Sequence, residues 1–185
     1  MERKSGRRWL KGAAVCAALF ALGYLSMLFG GDFNYRVIDN NTAVEITRFT
    51  ARGRAASIPS HIGDLPVAVI GENSFRRSWG RRQGTLRSMI YALASVTIPD
   101  TVTRIERYAF EGNRLSYVYI PYGVRYIGDW AFRANRISAV TIPDSVTWVG
   151  DQAFRHNRLA EVSVPRHAAI AEDAFDSGVA ITRRD

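Results

Sequence analysis

Two consecutive segments of this sequence follow nearly the same pattern: LSYVYIPYGVRYIGDWAFRANR at residues 115–136 and ISAVTIPDSVTWVGDQAFRHNR at residues 137–158. Their Ile-Pro and Ala-Phe pairs recur every 22 residues, and a weaker copy of the pattern lies upstream at residues 58–75. A unit this short cannot bury its own apolar face, so neighbouring units must stack around one continuous core. The sequence therefore predicts a solenoid of about five units.

Each unit divides into three parts. Val118 and Ile120 lie two residues apart and face one side of a strand, which Pro121 ends because proline has no N–H for the ladder. A second short apolar stretch follows and closes at Gly128. Asp129 is then expected to open a short helical turn that ends in Ala-Phe, since a carboxylate complements free backbone N–H groups. Stacked units should thus form a parallel ladder of short strands.

The pattern L-x-x-V-x-I-P-x-x-V-x-x-I-G-x-x-A-F-x-x-N-x-L, at residues 115–137 and again at 137–159, resembles the BspA-like, or Treponema-type, bacterial leucine-rich repeats. The resemblance covers about residues 58–182, and FNYRV (33–37) with VEIT (44–47) is similar to the β-hairpin that caps such arrays. Many family members have Cys where this sequence has Asn, with one more residue before the next Leu, so the chain looks like a family variant.

The resemblance implies a right-handed leucine-rich-repeat solenoid over residues 58–182, with short parallel strands and short helical turns. It also implies an N-terminal β cap over residues 31–57 and leaves a tail at 183–185. Functionally it implies a secreted or surface-exposed bacterial protein that binds other proteins, often as an adhesin, and it carries over no catalytic residues.

The N-terminal residues 1–30 have the pattern of an export signal. Residues 1–11 hold five basic side chains and one acidic one, and residues 12–29 carry no charge. As a helix this run would reach about 27 Å, enough for an uncleaved membrane anchor, whereas Ala21-Leu22-Gly23 offers small residues for signal cleavage. Both alternatives predict export, to the periplasm, the cell surface or the medium. Cys16, the only cysteine, lies in this run, so disulfides and cysteine metal sites are not expected.

The formal net charge of +8 suggests a polyanion as partner, but much of it is local. Residues 31–185 hold 20 arginines and 16 acidic residues. Five of these arginines lie in an insertion of 13 residues, near 76–88, between Phe75 and Leu93. Such a loop can attract sulfated glycans, anionic lipid or an acidic protein surface, or it can simply be solvated; export disfavours nucleic acid. The candidate anion-binding residues are Arg76, Arg77, Trp79, Arg81, Arg82 and Arg87.

The outward positions of the first strand vary between units and are therefore free for function. Tyrosine gives a large contact area at low entropic cost, so this face is a candidate protein-binding surface. Alternatively, tyrosines simply suit exposed strand positions. The candidate residues are Ser95, Thr97, Tyr117, Tyr119, Tyr122, Thr141, Glu161 and Ser163.

Positions that do not vary between units are predicted to hold the scaffold. The phenylalanines should form the core, and the asparagines should form a buried amide column that satisfies backbone groups of successive turns. These residues are Phe75, Phe110, Phe132, Phe154 and Phe175, with Asn113, Asn135 and Asn157.

The remaining chemistry-bearing residues form no recognisable catalytic or cofactor motif. The three histidines lack metal-ligand spacing, and neither a phosphate-binding loop nor a Gly-x-Ser-x-Gly elbow occurs. The sequence therefore predicts a non-enzymatic protein without metal or cofactor. The leading expectation is that its partner is a protein. The alternatives are polyanion binding through the insertion and a structural role in the cell envelope. Residues 12–29 would contact the membrane if they are not cleaved.

Overall fold

The computed structural model describes residues 32–77 and 92–185. Within these ranges the chain winds into a β-solenoid of about six turns, one more than the repeat pattern predicts. The additional turn comes from the N-terminal strands, where Phe49 continues the column of repeat phenylalanines by stacking on Phe75 at 5.2 Å. The cap and the repeats therefore share one core.

The N-terminal cap is an antiparallel pair of strands, β1 (Phe33–Ile38) and β2 (Ala43–Phe49), joined by a 3-10 turn at Asp39–Asn41. Strand β2 also pairs in parallel with β5 (Leu65–Ile70), which places the cap directly on the repeat ladder. Because β2 pairs with β5, the cap covers the edge that the first repeat would otherwise expose.

The continuous ladder of the solenoid runs through the second apolar stretch of each unit. After β5 it comprises β7 (Arg104–Ile105), β8 (Tyr126–Ile127), β9 (Trp148–Val149) and β11 (Ala169–Ile170), all paired in parallel. The inward residues of β7, β8 and β9 are fully buried. Each unit contributes only two residues, so this ladder depends on stacking for its stability.

Among the described residues, the first stretch of each unit forms paired strands at the two ends of the array, and a single bridge joins Thr141 to Ser163. Strand β3 (Ala55–Ser57) pairs with β6 (Ser95–Thr97), and β10 (Glu161–Pro165) pairs with β12 (Ala180–Arg184). The short β4 (His61–Ile62) turns back onto β5 through Gly63, whose φ of 60° suits glycine. Between the paired ends, residues 117–120 make no backbone hydrogen bond to the neighbouring units. The predicted parallel ladder is therefore interrupted along this side.

A stack of phenylalanine rings forms the centre of the core. Phe75, Phe110, Phe132, Phe154 and Phe175 follow one another with ring centroids 4.8–5.4 Å apart and nearly parallel planes. The stack gives each unit the same large apolar group at the same height, so that one unit completes the burial of the next.

The prediction of a short helical turn before each Ala-Phe pair is wrong. Among the described residues only Asp39–Asn41 is helical. Tyr108, Trp130 and Gln152 have φ of 58°, 54° and 50°, and this left-handed conformation stops a right-handed helix. Alternate N–H groups instead donate to the next unit, as Phe110 does to the carbonyl of Ala131 at 2.7 Å.

Asp129 has a different role from the helix cap expected of it. Its Oδ1 accepts a hydrogen bond of 3.0 Å from the backbone N–H of Asp151, one unit further on. The predicted hydrophobic helix at residues 1–30 lies outside the described residues. In the ranges 32–77 and 92–185, no helix is long and apolar enough to cross a membrane.

Candidate protein-binding face

Three tyrosines stand out from the solenoid surface in one unit. Tyr117, Tyr119 and Tyr122 are 59%, 50% and 70% exposed, whereas Val118 and Ile120 between them are buried. This alternation is that of an extended chain, in which successive side chains point to opposite sides. Val118 and Ile120 thus anchor this unit in the core, and the tyrosines are presented to solvent.

The tyrosines border a shallow groove of about 270 Å³. Its other side is formed by the next unit, through Thr141, Pro143 and Asp144, and by Arg184 from the C-terminal strand. Tyrosine and arginine are enriched at surfaces that bind another protein, because they contribute much of the binding energy at interfaces.

Arg184 is a site residue that the sequence analysis missed. Its Nη2 donates to Asp144 Oδ1 at 2.9 Å, its Nη1 donates to Ser163 Oγ at 3.1 Å, and Nη2 also reaches the carbonyl oxygen of Ile142. The residue lies in the short tail after the last repeat copy, so no periodicity pointed to it. Only the pairing of β12 with β10 brings it beside the tyrosine unit.

The other predicted face residues extend along the array on both sides of the tyrosines. Ser95 and Thr97 are exposed on β6, and Glu161 is exposed on β10. Thr141 is exposed as well and joins the half-buried Ser163 through a single parallel bridge. The structure therefore brings these eight residues to one side of the solenoid, with the aromatic area concentrated in one unit.

The repeat asparagines bond to the backbone; Asn113 and Asn135 are buried, and Asn157 is half-buried. Asn113 Oδ1 accepts from the Leu93 N–H at 3.0 Å, and its Nδ2 donates to the carbonyls of Phe75 and Phe110 at 2.8 and 3.0 Å. Asn135 and Asn157 make the same three kinds of bond in the following units. Each amide thereby connects consecutive turns at a place where the strand ladder is absent.

The basic insertion is described only at its beginning. Arg76 bonds to Glu111 at 2.6 Å and lies over the Tyr108 ring at 4.3 Å, so its charge is already compensated. Burial lowers the pKa of Arg77. Trp79, Arg81, Arg82 and Arg87 lie outside the described residues, and anion binding by this loop stays a prediction.

A second aromatic cluster, not predicted from the sequence, lies on the turn side of the solenoid. The Tyr108 and Trp130 rings stack at 4.9 Å, and the Arg107 guanidinium lies 4.8 and 4.4 Å from their centroids. Both rings are half-buried, and both residues occupy the same left-handed position of their units. The recurrence of an aromatic residue there was the available signal. Within residues 32–77 and 92–185, no His, Cys, Asp or Glu cluster could hold a metal.

A stacked β-solenoid with one variable, aromatic strand face defines a repeat protein of the leucine-rich-repeat class. The BspA type leucine-rich repeat region matches residues 88–183 in six copies, and the chain belongs to this family. The comparison with curated proteins finds no match.

Solved structures share the fold. The chain is similar to the pneumococcal vaccine antigen PcpA, with a TM-score of 0.61 at 15% identity, over 88% of this chain and 50% of that one. It is also similar to a leucine-rich cell surface protein from Faecalibacterium prausnitzii, with a TM-score of 0.50 at 22% identity, over 88% of this chain and 55% of that one. The chain thus spans about half the length of these structures.

Proposed function

We propose that this protein is an exported, non-catalytic binding module that recognises another protein through the face around Tyr117, Tyr119 and Tyr122. The observation that carries the proposal is the exposure of these three tyrosines beside a groove that Arg184 closes. Proteins of the leucine-rich-repeat type typically bind other proteins, which makes a protein the expected ligand.

An adhesin role requires export and surface display, and two observations support these. The basic and then apolar N-terminal residues fit an export signal, and a structure with the same fold is described as a cell surface protein. The partner would then be a host or bacterial surface protein. Protease treatment of intact cells tests the location: surface display predicts loss of the full-length chain, whereas protection would exclude surface display.

The binding face is tested by comparing two variants against arrayed extracellular and cell-surface proteins. Tyr117→Ala/Tyr119→Ala removes two of the three exposed tyrosine rings while keeping Val118 and Ile120 in the core. Trp148→Ala is the matched control, because Trp148 is also exposed, at 40%, but lies on β9. We expect a partner that binds the wild type and the control but not the double variant. Retention of every partner by the double variant would exclude this face.

A further inference from the structure

Arginines recur at one position of three consecutive units, immediately after the buried asparagine. The backbone N–H groups of Arg114, Arg136 and Arg158 each donate to the residue that opens the preceding unit, at 2.8, 2.9 and 2.9 Å. These equivalent bonds place the three residues in register. The Phe110, Phe132 and Phe154 rings of the same units are 5.2 and 5.1 Å apart, so the arginine column spans roughly 10 Å along the solenoid.

The arginine column carries uncompensated charge. Arg136 and Arg158 are exposed and Arg114 is half-buried. None of the three belongs to an ion pair or side-chain hydrogen bond in the described parts of the chain. Like charges held in register in neighbouring units repel one another, so counter-ions or a bound anion stabilise a column of this kind.

A neighbouring column shows that the scaffold does pair charges elsewhere. One residue after the core phenylalanine, Arg76, Glu111 and Arg133 follow one another in successive units. Glu111 bonds to Arg76 at 2.6 Å and to Arg133 at 3.2 Å. Glu111 therefore compensates part of the charge of that column, whereas the column of Arg114, Arg136 and Arg158 contains no acid.

We propose that the column of Arg114, Arg136 and Arg158 binds a linear anionic polysaccharide that lies along the solenoid axis. Guanidinium groups bind sulfate and carboxylate groups through paired hydrogen bonds. One pyranose ring is about as long as the separation between units, so each sugar can present its anionic group to one arginine. The adjoining exposed Ser116 and Ser138 supply hydroxyls for the sugar's own hydroxyl groups. This site shares no residue with the proposed protein-binding face, although Ser116 directly precedes Tyr117, and it goes beyond that function.

The test compares two triple variants of the full-length chain for binding to heparin. Arg114→Gln/Arg136→Gln/Arg158→Gln removes the column. Arg48→Gln/Arg125→Gln/Arg166→Gln removes the same charge from exposed positions elsewhere. Using the full chain keeps the basic residues 3–11 constant in all samples. Thermal unfolding of both triple variants checks that the fold is retained.

The column variant should bind heparin at least about tenfold more weakly than the wild type. Its slope of log affinity against log salt should fall by roughly two to three, one for each guanidinium removed. The control variant should keep most of the heparin affinity and most of its salt dependence. Equal losses in the two variants, or no loss in the column variant, would overturn the proposal.

Competition experiments identify the class of ligand. Heparin and a uronic-acid polymer distinguish sulfate from carboxylate, and displacement by either supports the proposal. A single-stranded oligonucleotide of equal charge, or vesicles with anionic lipid, should displace heparin much less effectively. Displacement by these at the same charge concentration would overturn the assignment to a polysaccharide. The Tyr117→Ala/Tyr119→Ala variant should keep heparin binding, so this site and the protein-binding face can fail independently.

Discussion

The side-chain oxygen of Asn135 accepts a hydrogen bond of 3.1 Å from the backbone N–H of Leu115, which opens the preceding unit. The Asn135 amide nitrogen donates to the carbonyls of Phe110 and Phe132, both at 3.0 Å. Those carbonyls also accept from Asn113 and Asn157. The column of asparagines therefore shares its acceptors, while the Leu115 N–H depends on Asn135 alone.

Asn135→Ala should lower the free energy of unfolding by about 2–3 kcal/mol, because it leaves the buried Leu115 N–H without an acceptor and removes one donor from each carbonyl. Urea unfolding followed by circular dichroism measures the effect. Ser116→Ala, at an exposed neighbouring position, is the control and should change little. A loss below about 0.5 kcal/mol would contradict the role given to this column.

Asn135→Asp separates the two functions of the amide. A carboxylate can still accept the hydrogen bond from the Leu115 N–H, but it has no N–H to donate to the carbonyls of Phe110 and Phe132. Its buried charge then lies close to two carbonyl oxygens, which is unfavourable. At the C-terminal end Asp176 does accept from the backbone N–H of His156 and Asn157, at 3.1 and 3.3 Å. Asn135→Asp should therefore be less stable than Asn135→Ala at neutral pH and recover on acidification, as the carboxyl becomes a donor.

Ala134→Gly should stabilise the protein by about 0.5–1 kcal/mol. Ala134 has φ of 55°, a left-handed conformation that costs residues with a Cβ roughly 1–2 kcal/mol, and part of this gain is offset by the greater flexibility of glycine in the unfolded chain. The preceding unit already has Gly112 at this position, with φ of 74°. Thermal and urea unfolding measure the change.

Ala139→Gly is the control for Ala134→Gly, since Ala139 is exposed and its φ is not positive. It should destabilise the protein slightly, because only the entropic cost of glycine remains. If both substitutions destabilise equally, backbone strain at residue 134 does not limit stability.

The sequence predicted which side chains are buried or exposed better than it predicted which segments hydrogen-bond to each other. Recurrence identified the phenylalanines of the core and the asparagines that bond between units, because both depend on what each unit presents to the next. Alternation at Tyr117 and Val118 likewise reported exposure and burial. It did not report whether neighbouring strands bond, and residues 117–120 do not. The left-handed backbone at Tyr108 and Trp130 was also hidden, since bulky aromatic residues rarely adopt it.

Asp151→Asn should make the stability of the protein less dependent on pH in the acidic range. A hydrogen bond with Asp173 and the negative charges of Asp173 and Asp129 raise the pKa of Asp151, while Arg155 opposes the shift. The same hydrogen bond lowers the pKa of Asp173. The pair is therefore most favourable when Asp151 is protonated and Asp173 is ionised.

The sign follows from linkage between protonation and folding. A pKa raised in the folded state contributes stability that is present at low pH and lost as pH rises through the folded pKa of Asp151. Asp173 behaves in the opposite way and loses its contribution as pH falls through its lowered pKa. Asparagine keeps an N–H donor for Asp173 at every pH, so Asp151→Asn should raise the midpoint of urea unfolding at neutral pH. The difference in midpoint between the variant and the wild type should become smaller in mild acid.

Glu161→Gln is the matched control for Asp151→Asn, because it removes one exposed negative charge that forms no ion pair in the described chain. It should leave the pH profile of stability parallel to that of the wild type. An equal change in both profiles would mean that net charge, and not the aspartate pair, sets the acid response.

Arg184→Lys should loosen the C-terminal strand without unfolding the protein. The guanidinium holds Asp144 through Nε and Nη2, at 3.1 and 2.9 Å, and bonds to Ser163 in the adjacent strand. Lysine keeps the charge but not the planar fork, so it cannot satisfy both partners. Amide hydrogen exchange across β12 should accelerate about tenfold, which corresponds to a local loss of roughly 1.4 kcal/mol.

Arg166→Lys provides the comparison for Arg184→Lys. Its ion pair with Asp185 is largely exposed, at 74% and 86% side-chain accessibility, and such pairs contribute little. Exchange across β12 should therefore stay close to the wild-type rate. Arg184 also closes the groove beside Tyr117. If Tyr117→Ala/Tyr119→Ala abolishes the binding of a partner, Arg184→Lys should therefore weaken the binding of the same partner. Faster exchange with unchanged partner binding would show that the strand stabilises the scaffold but does not contribute to the binding face.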